Sequence, residues 1–310
     1  MKNIFSKIIS KIKFVKDFFA FIKNFKFSLS SKLITLISVI AVIYSIYSYR
    51  QYIGAKFSLL FNGGSPEDYY VLAINANPID SEAYYNLANI YIKNKNYIAA
   101  KELLNGGIEH GIKSSKLYEL LGKAQFLNGD FNEAKKSLIM AIEINYKRYE
   151  AYYYLGKISE ELTRYERAIL DYKTAIRRNK NFVEPYYALA QLYGKLHEYS
   201  NAKHYARKAI KIAPKDVRGY TILASLYIDT RDYNLATREL NIAKDIDSNS
   251  YDVHYQFGRL YYKKKQYAFA VENLKKAVKL KSDSKAYDLL GKIYEEKPIL
   301  KPDLYLIDNG

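Results

Sequence analysis

The sequence has no cysteine, no tryptophan, two methionines and four histidines in 310 residues. Without cysteine there is no disulfide, no thiolate zinc site, no cysteine nucleophile and no lipidated N-terminal cysteine. The histidines, His110, His197, His204 and His254, form no His-Glu-x-x-His pair and no ligand triad. His197 and His204, seven residues apart, read as two surface histidines. Asn62-Gly63-Gly64 and Asn105-Gly106-Gly107 lack the lysine and hydroxyl of a phosphate-binding loop. Glu160-Glu161 is an exposed acidic pair on a helix, not two carboxylates at a defined separation. No enzymatic constellation is present, and neither catalysis, a cofactor nor a metal is expected.

Aromatic residues, in contrast, make up 15% of the chain, with 34 tyrosines and 14 phenylalanines. Such a chain is too apolar to stay disordered. Its formal net charge is +17, but the excess is uneven. Residues 1–50 hold nine basic residues and one acid, Asp17, while the other 260 residues hold 40 basic and 31 acidic ones. The concentrated part points to an anionic leaflet, and the diluted part shows no coherent stripe. Nucleic acid is therefore not an expected partner, and an RNA-binding array is the weaker alternative.

In residues 1–27, Ile4, Ile8, Ile12, Val15, Phe18, Ile22 and Phe25 follow helical spacing with lysines between them. This predicts a basic amphipathic helix in the plane of a membrane surface. Residues 33–49 are uncharged and bounded by Lys32 and Arg50. Seventeen helical residues span about 25 Å, and residues 27–31 can lengthen the span toward the ~30 Å hydrocarbon core. Tyr44, Tyr47, Tyr49 and Tyr52 would form an aromatic belt at its far end. The long leader and poor cleavage site favour an uncleaved signal anchor over residues 28–52. The lysine-rich leader predicts a cytoplasmic N-terminus, which puts the rest of the chain outside the cytoplasm, in a periplasm for a diderm inner membrane. The opposite insertion would give a cytoplasm-facing adaptor. A short breaker, residues 62–66, closes a linker over residues 53–66.

The remainder repeats with a period of 34. Tyr84, Tyr118, Tyr152, Tyr186, Tyr220 and His254 share position four of the unit. Position seven reads Leu87, Leu121, Leu155, Leu189, Leu223, Phe257, and position eight reads Ala88, Gly122, Gly156, Ala190, Ala224, Gly258. Position seventeen is always aromatic, from Tyr97 to Tyr267, and position twenty is always alanine, from Ala100 to Ala270. Small residues at eight, twenty and twenty-seven let two antiparallel helices approach, and bulky ones fill the holes beside them. A single unit cannot bury its own apolar face, so neighbours must stack.

These registers resemble the tetratricopeptide repeat family. The resemblance covers six units over residues 81–283, a half unit over 67–80, and a capping helix and tail over 284–310. It departs at the closing proline, which only Pro78 and Pro214 supply. The resemblance implies an all-α, right-handed superhelical solenoid of antiparallel helix pairs, here preceded by the amphipathic and transmembrane helices. It also implies protein partners, bound as a peptide segment or helix in a concave groove lined by positions two, five, nine, twelve and thirteen. The groove residues expected on that basis are Tyr85, Asn89, Lys123, Tyr153, Lys157, Tyr187, Gln191, Tyr255 and Arg259. Replacing Tyr187 should then spare folding and weaken binding. The carboxylate clamp of chaperone adaptors is absent, because the positions that would form it hold Tyr85, Leu120, Glu150 and Tyr154. The anchored architecture is similar to bacterial inner-membrane assembly factors, including tetratricopeptide proteins of the spirochaete periplasmic flagellar collar.

Overall fold

The computed structural model describes residues 65–300. The leader and the membrane span expected at 33–49 lie outside the described residues, as does the tail beyond 300. Among the described residues no helix is long and apolar enough to cross a membrane. These residues form fourteen α-helices and no strand. The chain divides into two compact bodies, Met1–Ile112 and Lys113–Gly310. In the first body the described helices are α1 (Pro66–Ala76), α2 (Ser81–Lys93) and α3 (Tyr97–Glu109). The second holds α4 (Ser115–Asn128), α5 (Phe131–Ile144), α6 (Tyr149–Glu161), α7 (Tyr165–Arg178), α8 (Glu184–Lys195) and α9 (Tyr199–Ile212). It continues with α10 (Val217–Asp229), α11 (Tyr233–Ile246), α12 (Tyr251–Lys263), α13 (Tyr267–Leu280) and α14 (Ser284–Glu296), followed by a 3-10 turn at Pro298–Leu300.

The 34-residue period is a helix–turn–helix period. The aromatic residue at position seventeen is the first residue of every second helix, from α3 to α13. The turn before it is the same in six repeats. Position fifteen takes a left-handed conformation in Lys95, Gly129, Thr163, His197, Arg231 and Lys265. Its neighbour's amide then closes a six-to-one hydrogen bond, such as Arg164 N to Ser159 O at 2.8 Å and Asp232 N to Tyr227 O at 2.8 Å. This is the Schellman end of a helix, which ordinarily selects glycine because a Cβ is strained there. Glycine fills the place once in six.

Within each repeat the two helices meet along a dry seam. Position twenty-four, occupied by Leu104, Leu138, Tyr172, Ala206, Leu240 and Leu274, is fully buried in every repeat. It faces the small residue at position eight. A Cβ on Gly156 would lie 2.6 Å from the Tyr172 ring, so the largest residue at position twenty-four requires a glycine opposite. The most extensive core cluster joins repeats three to six through Tyr172, Leu192, Leu226, Leu240 and Leu260.

In repeats four to six, position four ties the first helix to the loop before it. Tyr186 Oη donates to Lys180 O at 3.0 Å and Tyr220 Oη to Pro214 O at 3.1 Å. His254 Nε2 makes the matching bond to Ser248 O at 3.0 Å. Lys180, Pro214 and Ser248 share the closing-proline position. The acceptor is a backbone carbonyl, so the tie survives where proline is absent.

Candidate functional site

The first helices of repeats three to six, α6, α8, α10 and α12, line a cleft of about 490 Å³. Its opening has a local cause. Among neighbouring first helices of the second body, α6 and α8 make the sparsest contact. Position thirty-four, just before each first helix, is Asp80, Ser114, Arg148, Asp216 or Ser250 elsewhere but Phe182 here. Asp80 and Asp216 cap the helices that follow them, bonding Glu82 N and Arg218 N. Phe182 cannot cap. Its ring instead lies against Tyr149 at 5.0 Å and Tyr153 at 5.4 Å, on α6. The α8 helix starts one residue late, after Val183, and an aromatic plug sits between its start and α6.

Polar groups at three levels along these helices face this space. At the N-terminal level stand Glu184, Arg218 and Asp252. The Arg218 guanidinium makes three bonds to the Asp216 carboxylate, at 3.1, 2.9 and 2.6 Å, approaches Glu184 at 3.7 Å, and lies 4.5 Å over the Tyr187 ring. Those bonds hold the Asp216 carboxyl below the usual aspartate range. At the middle level are Lys157, Gln191 and Ser225, and at the C-terminal level Lys195 and Asp229. Burial, with Glu184 and Glu160 nearby, pushes the Tyr153 hydroxyl up to about 12, so it remains a neutral hydrogen-bonding group.

Of the residues expected in the groove, Tyr153, Lys157, Tyr187 and Gln191 come together in this cleft. Lys157 and Gln191 make no ion pair or hydrogen bond. Tyr187 differs from expectation in one respect. It is 5% exposed and packs with Tyr186 and Ala209, so its replacement cannot spare folding. Its buried hydroxyl has no partner of good geometry, and burial beside the Asp216 carboxylate pushes its pKa up. The others lie elsewhere. Tyr85 and Asn89 are on α2 in the first body, where the Asn89 amide donates to Tyr85 O at 2.9 Å. Lys123, on α4, sits 5.9 Å over the Tyr154 ring. Tyr255 stacks on Tyr251 at 5.7 Å. Arg259 bonds Ser225 Oγ at 2.6 Å and Asp229 at 2.9 Å, and so closes the α12 end of the cleft instead of lining it.

Position five, a tyrosine in four repeats, carries a different device in repeat two. Glu119 is 4% exposed, pairs with Arg148 and accepts the Ala151 amide at 3.2 Å, so it caps α6 from the neighbouring repeat. Burial pushes its carboxyl up, and the Arg148 guanidinium opposes that shift without cancelling it. Among the described residues no cluster of His, Asp or Glu could hold a metal ion.

Family models described as tetratricopeptide repeat match residues 69–102, 120–181, 183–216 and 251–284, together just over half of the chain. No curated protein matches it. Similar solved structures include a tetratricopeptide repeat protein from Parabacteroides merdae, with a TM-score of 0.62 and 18% identity over 79% of this chain and 98% of that one. The APC/C hetero-tetramer Cut9–Hcn1 also reaches 0.62, at 15% identity over 75% of this chain and 46% of that one. Pseudomonas aeruginosa pilF gives 0.57 and 16% over 68% and 96%. The present chain thus spans about half the length of the Cut9–Hcn1 chain. At these identities the likeness is one of fold.

Proposed function

The chain is a tetratricopeptide repeat protein, and on that premise we propose that it is a membrane-anchored scaffold that holds partner proteins through its first-helix cleft. The observation that carries this reading is the cleft itself. Four successive first helices face one space with unpaired polar groups, Lys157 and Gln191 among them, beside tyrosine rings. Rigid aromatic area with polar handles suits a protein partner. The repeats of the described residues offer an extended surface, and the reading is of a binding protein.

The anchor rests on the uncharged residues 33–49 and the lysines before them. On this reading the N-terminus is cytoplasmic and the repeats lie in the periplasm, on the inner membrane. The assembly served is a flagellar motor or envelope complex.

A photo-crosslinker at Gln191 in intact cells tests the cleft. Capture of a defined protein, lost when the crosslinker is moved to the far face at Lys208, supports the reading. Equal capture from both places overturns it. Protease added to spheroplasts tests the orientation, because digestion of the repeats requires them to be outside. Normal motility and envelope morphology in cells lacking the protein would remove the motor and envelope assignment.

A further inference from the structure

Resting on the cleft reading, we infer that the occupant is an extended segment of a partner protein bearing opposite charges near its two ends, an acidic side chain toward α6 and a basic one toward α12. The inference comes from subtracting the charges that the protein itself satisfies. Six charged residues line the cleft, with formal charges that balance: Lys157, Lys195 and Arg218 against Glu184, Asp229 and Asp252. Arg218 is held by Asp216 and faces Glu184. Asp229 is taken by Arg259 at 2.9 Å. Lys195 rests 4.8 Å over the Tyr165 ring. Lys157 on α6 and Asp252 on α12 make no ion pair or hydrogen bond. They stand on the two outermost helices of the cleft, with the unbonded Gln191 side chain on α8 between them.

Arg218 is thus shared between two carboxylates and Lys195 keeps its charge over the ring, so positive charge lies on α6 and α8 and negative charge on α8 and α12, with Lys157 and Asp252, which pair with nothing, at the two outer ends and Gln191 between them. A uniformly acidic segment would gain at Lys157 and be repelled at Asp252, and a uniformly basic one the reverse. A segment with one charge of each sign satisfies both ends. Three helix-to-helix steps of 8–10 Å amount to roughly 25–30 Å. At about 3.3 Å per extended residue this separates the two charges by about eight residues.

The test is selection of a random dodecapeptide phage library on the full chain in detergent, alongside K157E and D252K. Both substitutions are at side chains that bond to nothing in the fold, and circular dichroism checks that each variant is folded. The expected outcome is enrichment of peptides with Asp or Glu and Lys or Arg about eight positions apart. K157E should weaken a selected peptide at least tenfold, and exchanging the peptide's acid for lysine should restore it. D252K should do the same at the other end, restored by an acid in place of the base. Enriched peptides without the charge pair, or unchanged affinity in both variants, overturn the inference while leaving the cleft as a binding site. No enrichment on the wild-type chain counts against the cleft reading itself.

Discussion

Two junctions between first helices, two repeats apart in the same frame, end up as opposites. Between α10 and α12, Arg259 reaches back to Ser225 and Asp229 and closes the seam. Between α6 and α8, Lys157 takes the position of Ser225, Gln191 the position of Arg259, and neither bonds to anything. Phe182 lies against α6 where the α10–α12 junction has Ser250. The dry seam between positions eight and twenty-four is common to both. The repeat frame thus fixes how helices pair within a repeat, while the contact between these neighbouring first helices turns on a few side chains at positions nine and thirty-four.

The largest effect comes from attacking what the junctions share. Tyr172→Ala removes a fully buried ring and its 2.6 Å bond to Glu160, and should cost about 3–5 kcal/mol in urea unfolding. A loss below 1 kcal/mol would mean that the seam does not carry the fold. Phe182→Ala strikes only the open junction. It should cost about 1–3 kcal/mol from lost half-buried aromatic contact, and the cleft should narrow enough to abolish peptide selection.

Thr163→Gly, in the turn beside the open junction, should stabilise by about 0.5–1 kcal/mol, as relief of left-handed strain outweighs the extra chain entropy. Lys265→Gly, beside the closed one, should gain less because lysine is not β-branched. The double change K157S/Q191R transplants the closed arrangement, with Glu161 already standing where Asp229 stands. Stability should move by less than about 1 kcal/mol, and partner capture should be lost.

The smallest effect is one of pH. Because the folded-state carboxyl of Glu119 is raised, its protonated form is favoured in the fold. That stability is present below the ordinary glutamate value of about 4.3 and is lost as pH rises through the raised one. The melting temperature of the wild type relative to E119Q should therefore fall between pH 4 and 7. A rising difference would mean that Arg148 outweighs burial.

The helix pairing was legible because position twenty is always alanine, and positions four, seven, eight and seventeen each keep to one kind of residue: aromatic, large apolar, small and aromatic in turn. Position twenty-four was not, although it is fully buried in every repeat, because it varies from Ala206 to Tyr172. The left-handed turn was hidden for another reason. Lys95, Thr163 and His197 have no chemistry in common, since backbone hydrogen bonds impose their conformation. In the cleft, the family resemblance pointed to Tyr153, Lys157, Tyr187 and Gln191, which do come together there. It could not reveal that Arg259 is spent on partners 30 and 34 residues earlier, nor that Tyr187 is buried. Phe182 carried a signal that pattern reading passed over, an aromatic where the equivalent loops hold short polar or charged residues.

That single phenylalanine has a consequence for descent. In a periodic chain every loop before a first helix is an equivalent address, and the frame does not care which one is occupied by a bulky ring. Where the cleft sits along the array is then a setting that a few codons, at positions nine and thirty-four, can write or erase. Lineages could move their docking point from repeat to repeat while the architecture around it stays unchanged.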